Sequence, residues 1–328
     1  MVSCEPYSPP PTRRPIMEKK ILIPVENCRR SLRAVRYAVH SASFIKELHF
    51  VLFNVQPMIS LYLEDEAQKD IKVRAKLNNV KKANQANALS LLESYRDEMT
   101  GMGIPADRIE LKTQVRQLGL AQDIIEYAQE KLFDAVLMGR RRLAGIQKAF
   151  TFSASSSVLE RSQIIPVWLV DGTPASKNLL VAVDGSASAL RAVDHAAFMV
   201  SGNTDIQVTL LHVMNSARNY CTIDPDALDP GDTELEKIVS SGDRACIDQF
   251  YPLAMKKFEQ MGLSRDQVRF ETIKGSRRIG NSIVSYAKDK GFDTLVMGRT
   301  GIDRAFFMGS TSKQILNHAS ESALWVVG

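Results

Sequence analysis

The sequence predicts a protein of two repeated α/β domains, each built on a five-stranded parallel sheet. Two observations carry this. The first is the stretch Phe292 to Ile315, FDTLVMGRTGIDRAFFMGSTSKQI, which reads as a buried strand entering a glycine-rich loop and then a helix. The second is its imperfect copy from Phe133 to Val158, FDAVLMGRRRLAGIQKAFTFSASSSV, in which FDAVLMGR answers FDTLVMGR and AGIQKAF answers TGIDRAF. The rest of the chain repeats in step: KKILIPVENCRRSLRAV from Lys19 parallels KNLLVAVDGSASALRAV from Lys177, and LHFVLFNV parallels IQVTLLHV. PVWLV at Pro166 likewise parallels ALWVV at Ala323. Matched positions lie about 158 residues apart, and a length of 328 residues suits two domains of ordinary size.

Each element then follows in order. Residues 1–18 are proline-rich, lack the apolar stretch of a signal peptide and are expected to be a disordered tail, with Met17 an alternative start. Ile21 to Val25 is an apolar, branched strand, Ser31 to Ser43 places Leu32, Val35, Ala38 and Val39 on one helical face, and Leu48 to Val55 is the second strand. Strand, helix, strand is a βαβ unit, which calls for a right-handed crossover and a parallel sheet. A long polar helical stretch is expected from about Glu66 to Met102, with an apolar stripe through Leu77, Val80, Ala88, Leu91 and Leu92 and a stop at Gly101 and Gly103. Strands at Ile109 to Val115, Asp134 to Met138 and Ile165 to Val170, with helices at Leu120 to Leu132 and Ser155 to Ser162, complete the domain placed at 19–171.

A linker is expected at 172–176, where Gly-Thr-Pro marks the boundary, and a second domain at 177–328. Its strands are Leu179 to Val183, Gln207 to Val213, Val268 to Ile273, Thr294 to Met297 and Leu324 to Val327. Between Asn215 and Asp243 a Pro-, Asp- and Gly-bearing segment reads as a mobile loop over the carboxyl edge, where open parallel sheets bind ligands.

Composition narrows the function classes. With 45% apolar and 24% charged residues the chain is an ordinary globular sequence, and no apolar run approaches the roughly 18 residues of a membrane helix. A formal charge of +5 permits an anionic ligand, but no basic stripe interleaved with aromatics points to nucleic acid. Cys4, Cys28, Cys221 and Cys246 form no CxxC pair, which argues against a zinc site or disulfide framework and suits a reducing cytoplasm.

The glycine-rich loop is phosphate-loop chemistry: glycine lets the backbone approach an anion, and amides and hydroxyls at a helix start donate to phosphate oxygens. Neither a Walker loop nor GxGxxG is present. The order VDGS, LHV, a lone Gly275, VMGRxG, GSxS and a closing apolar strand nonetheless resembles that of universal stress protein domains over nearly all of residues 19–328, taken as a tandem pair. The resemblance implies Rossmann-like, adenine nucleotide hydrolase-like domains paired through their last strands, here Ile165 to Val170 and Ala323 to Val327. It implies ATP or another adenine nucleotide as ligand, Mg²⁺ as candidate companion ion, and a stress-response switch. An unidentified protein partner and a homodimer are the further assemblies it suggests.

Carried over residue by residue, Val183 and Asp184 end the first strand of the second domain, with Asp184 the adenine-contacting acid and Val213 the backbone position beside the base. Gly298, Arg299 and Gly301 would hold ribose and α-phosphate, and Gly309, Ser310 and Thr311 the outer phosphates. Seven residues, Ile302 to Met308, separate Gly301 from Gly309 where the family has nine, so this loop is tighter. In the first half Glu26 replaces Asp184, Asn27-Cys28 replaces Gly185-Ser186, Arg116 replaces Gly275, Gly145 matches Gly301 only across an insertion, and Ser153-Ala154 replaces Gly309-Ser310. The expectation is therefore asymmetric: a nucleotide in the second domain and a degenerate or empty first. No general base beside a nucleophile is visible, so a slow Mg-dependent ATPase and a nucleotide-free interaction scaffold stand as alternatives. Arg140, Arg141 and Arg142 read as a solvated loop, and His212 as a packed or hydrogen-bonded residue.

Overall fold

The computed structural model describes residues 17–140, 154–214, 233–274, 278–300 and 308–328. The expected tail falls almost wholly outside them, as do Gly145, Ser153, Gly275 and Gly301. The first half runs β1 (Lys19–Pro24), α1 (Arg29–Ala42), β2 (Leu48–Gln56), α2 (Leu61–Lys69), α3 (Ile71–Gly101), β3 (Ile109–Val115), α4 (Leu120–Glu130), β4 (Ala135–Gly139), α5 (Ala154–Arg161) and β5 (Val167–Val170). The second repeats it as β6 (Leu179–Val183), α6 (Ala187–Val200), β7 (Val208–Met214), α7 (Thr233–Gln260), β8 (Val268–Lys274), α8 (Ile279–Lys290), β9 (Thr294–Gly298), α9 (Ser310–His318) and β10 (Ala323–Val327).

The ten strands of the described residues lie in one sheet, in the order β3-β2-β1-β4-β5-β10-β9-β6-β7-β8. Within each half every pairing is parallel, and the halves meet where β5 runs antiparallel to β10. Side chains alternate across a strand, so Ile21 and Ile23 enter one core while Leu22 enters the other. One core carries residues of α1, α3, α6 and α7, the other residues of α4, α5, α8 and α9, and each continues across the seam.

The seam is built reciprocally. Trp168 and Trp325 are register partners whose rings stack 3.9 Å apart at 1°. Each indole N–H donates to a helix of the opposite half: Trp168 Nε1 to His195 Nε2 at 3.0 Å, and Trp325 Nε1 to Tyr37 Oη at 2.9 Å.

Two expectations are corrected. The long helical stretch is two helices, because Asp70 adopts extended backbone (φ −123°, ψ 122°) and its carboxylate caps Lys72 N at the start of α3. Val80 on the expected apolar stripe is 51% exposed, while Leu77, Ala88 and Leu92 are buried. In the second half, residues 233–243 belong to α7 rather than to a loop; the remainder of that segment lies outside the described residues.

Candidate functional site

In the second half the chain builds from β6 outward through β7 to β8, then returns to the other side of β6 for β9 and β10. The strand order thus reverses between β6 and β9, and the crevice outside their carboxyl ends is where such sheets bind ligands. Val183 ends β6, Asp184 follows it, Val213 is the penultimate residue of β7, and Gly298 ends β9. Gly309 is the N-cap of α9, whose first residues are Ser310 and Thr311. The topology therefore brings eight of the nine expected site residues to one edge or its immediate loops, and the ninth, Gly301, lies outside the described residues.

The edge residues differ in what they leave available. Gly185 turns the chain after β6 with φ +81°, a conformation that favours glycine, and a Cβ there would meet Cys246 Sγ of α7 at 2.6 Å. Asp184 is exposed and bends one carboxylate oxygen back to Ser186 N at 3.0 Å, while Ser186 Oγ caps α6 by accepting from Ala189 N at 3.0 Å. The second carboxylate oxygen of Asp184 can accept from an amine. At α9 the amide of Gly309 already donates to the Arg299 carbonyl at 3.0 Å, and the first helical bond is Lys313 N to Gly309 O. The amides of Ser310 and Thr311 precede that bond, no side chain among the described residues caps the helix, and Ser310 is exposed. This is the arrangement that receives an anion.

Three residues have structural partners instead. Gly298 does not adopt positive φ; it is small because α6 crosses it, and a Cβ would meet Ser188 Oγ at 2.5 Å. Its carbonyl accepts from Ser312 Oγ at 2.8 Å. Arg299, 8% exposed, sends its guanidinium across the seam to the carbonyls ending α5, Ser162 and Glu160, the latter at 2.6 Å. Burial pulls its pKa below the ordinary arginine value. A guanidinium held there is turned toward a helix end, where a cation complements the dipole, so in this conformation it does not supply the expected ribose and phosphate contacts. His212, buried in β7, bridges the Val183 carbonyl at 3.1 Å and Asp243 Oδ2 at 2.9 Å, which is the packed role its strand position suggested.

Arg140 mirrors Arg299 and corrects the solvated-loop expectation at its own position, while Arg141 and Arg142 lie outside the described residues. It is 1% exposed and donates to the Leu316 and Ala319 carbonyls at the end of α9, the first at 2.8 Å, with Asp171 Oδ2 3.7 Å away. Sequence reasoning missed this exchange of arginines. The matching GR in VLMGR and VMGR was the available signal.

The first-half edge is built differently. Asn27 keeps negative φ, and Cys28 N donates to the Glu26 carbonyl at 2.7 Å, so the Glu26 carboxylate is not drawn into the turn as Asp184 is. Cys28 stands at the N-cap of α1 without making a cap bond. Burial alone would raise its thiol pKa, but the Ser31 hydroxyl, the Ser31 and Arg30 amides and the Arg30 charge together hold it below the ordinary value. Arg116, in the place of Gly275, buries an Nε that has no partner among the described residues. Gly139 admits no side chain, since a Cβ would fall on the Arg30 carbonyl.

A doubly repeated, switch-point α/β sheet is a Rossmann-like class of fold. The universal stress protein family model matches the chain twice, at residues 17–171 and 175–326, and the chain belongs to that family. A universal stress protein from Archaeoglobus fulgidus DSM 4304 is similar in structure, with 19% identity, TM-score 0.57, and 94% of this chain and 95% of that one covered. A functionally unknown protein from Pseudomonas aeruginosa PAO1 follows at 17% identity, TM-score 0.53, with 94% and 92% covered. A putative universal stress protein from Pseudomonas aeruginosa UCBPP-PA14 gives 17%, 0.52, 94% and 93%. No curated protein matches the sequence. Among the described residues no helix is long and apolar enough to cross a membrane, and no group of three or more His, Cys, Asp or Glu side chains is placed to hold a metal ion.

Proposed function

We propose that the second half binds ATP or another adenine nucleotide and that occupancy shifts conformation or partner choice in a stress response. The observation that carries this reading is the uncapped start of α9 at the β6–β9 switch point, with the amides of Ser310 and Thr311 open to phosphate and Asp184 across the crevice for an adenine amine. Val183 and Val213 stand at the strand ends with their side chains buried in opposite cores, so what they offer the base there is backbone. The phosphates would rest on α9 and bring any Mg²⁺ with them, as the described residues offer no cation cluster of their own.

The nucleotide content of freshly purified protein tests it. About one adenine nucleotide per chain, lost in Asp184→Ala and in Gly309→Phe, is the expected result, together with a higher thermal midpoint on adding Mg-ATP. Two nucleotides per chain would overturn the asymmetry. None, with no thermal gain, would leave the nucleotide-free scaffold, a reading favoured by Gly298 and Arg299 being engaged in packing across α6 and α5.

A further inference from the structure

The first-half cleft has chemistry of its own. A cavity of about 290 Å³, at the small end for ligand sites, opens at the carboxyl edge beside β1 and β4. Phe53, Val55, Leu120 and Ile124 give it apolar walls. Glu26 and Arg30 also line it, and neither side chain has an ion-pair or hydrogen-bond partner among the described residues. An exposed acid and a partly buried base thus both border the cavity, four residues apart across the turn into α1.

Between them lies the start of α1, a 14-residue helix. Its first-turn amides at Arg30 and Ser31 face the sulfur of Cys28, a weak acceptor, where the second half has a serine cap. A ligand carboxylate is a stronger acceptor for those amides and pairs with guanidinium in a fork. An ammonium finds its partner in Glu26. A chain of phosphates finds less: Glu26 opposes it, and Ala154 stands where the second half has the hydroxyl of Ser310.

We propose that this cleft binds a small zwitterion with an apolar body, the class of the hydrophobic α-amino acids. The carboxylate sits on Arg30 and the start of α1, the ammonium on Glu26, and the side chain against Phe53 and Ile124. This does not depend on a nucleotide in the second half.

Cys28 lines the cavity and reports occupancy. The test is the rate at which iodoacetamide alkylates Cys28 in the full chain, followed by peptide mass spectrometry, with L-phenylalanine or L-leucine at millimolar concentration. Alkylation is expected to slow about fivefold or more at saturation, with a parallel rise in thermal midpoint. N-acetyl-L-phenylalanine, which lacks the cation, and phenethylamine, which lacks the anion, are each expected to protect far less, and Arg30→Met and Glu26→Gln to abolish protection. If Arg30→Met does not fold, Glu26→Gln, at an exposed position, carries the test. The proposal fails if none of the amino acids protects, if the single-charge analogues protect equally, if protection survives Glu26→Gln, or if ATP protects Cys28 where the amino acids do not.

Discussion

The two halves follow one backbone plan and diverge at the turn after the first strand of each. In the second half Gly185 takes positive φ, Asp184 folds back on Ser186, and Ser186 caps the helix. In the first, Asn27 keeps negative φ, the turn closes through the Glu26 carbonyl, and Cys28 makes no cap bond. The two turns thus differ in what their acids bond: Asp184 gives one carboxylate oxygen to its own backbone, and Glu26 gives none among the described residues. The seam shows the opposite tendency, since both halves keep a Trp, a helix acceptor and a cross-seam arginine.

The largest effect that sharpens this comparison is expected at the arginines. Arg140→Met and Arg299→Met each leave helix-end carbonyls buried without a charged donor, a loss of about 1.5–3 kcal/mol by chemical denaturation. Arg140, with 1% exposure against 8%, should cost more. Equal losses, or none, would mean that the exchanged arginines do not hold the seam.

Next is the asymmetry between His195 and Tyr37, which occupy matching positions but differ in titration. His195 accepts from Trp168 and so is neutral, and desolvation pushes its pKa down to about 3. A base whose folded pKa lies below its unfolded value of about 6.5 is protonated first in the unfolded chain. Its contribution is therefore intact above pH 6.5 and declines as pH falls toward 3, by roughly 1.4 kcal/mol per pH unit within that window. A pH series of unfolding midpoints for wild type and His195→Gln checks this, with the variant expected to lose that component of the slope. An unchanged slope would place His195 in water rather than in the seam.

The smallest effect concerns the caps. Ser186→Ala should cost about 1 kcal/mol, whereas Cys28→Ser should stabilise by a similar or smaller amount, because serine supplies the α1 cap that cysteine does not. If Cys28→Ser proves neutral or destabilising, the sulfur already satisfies those amides.

Much of the fold was legible because its signals are local and repeated. The short apolar runs, the helical face of α1 and the recurrence of FDxxxMGR locate strands, helices and duplication without any long-range information. The residues at the switch point were legible for the same reason, since strand ends and helix starts are sequence features. What was not legible depended on the other half of the molecule. Arg140 looks like the first of three solvated arginines until α9 is placed beside it, and Arg299 looks like a phosphate ligand until α5 is. Gly298 carries the same lesson in reverse: a glycine at a strand end signals close approach, but the sequence does not state whether the neighbour is a phosphate or, as here, a helix.

The antiparallel pairing of β5 with β10 has a consequence for how the chain reaches this state. During synthesis β5 is complete at Val170, yet the strand that covers it begins only at Ala323. Until then Trp168 and an unpaired strand edge have no native neighbour, and an edge of that kind is a template for pairing with another chain. Contacts so distant in sequence form late and slowly. The vulnerable species is therefore a nascent or truncated chain whose first half is folded and whose seam is open, and two such chains have in each other's β5 the most available substitute for β10.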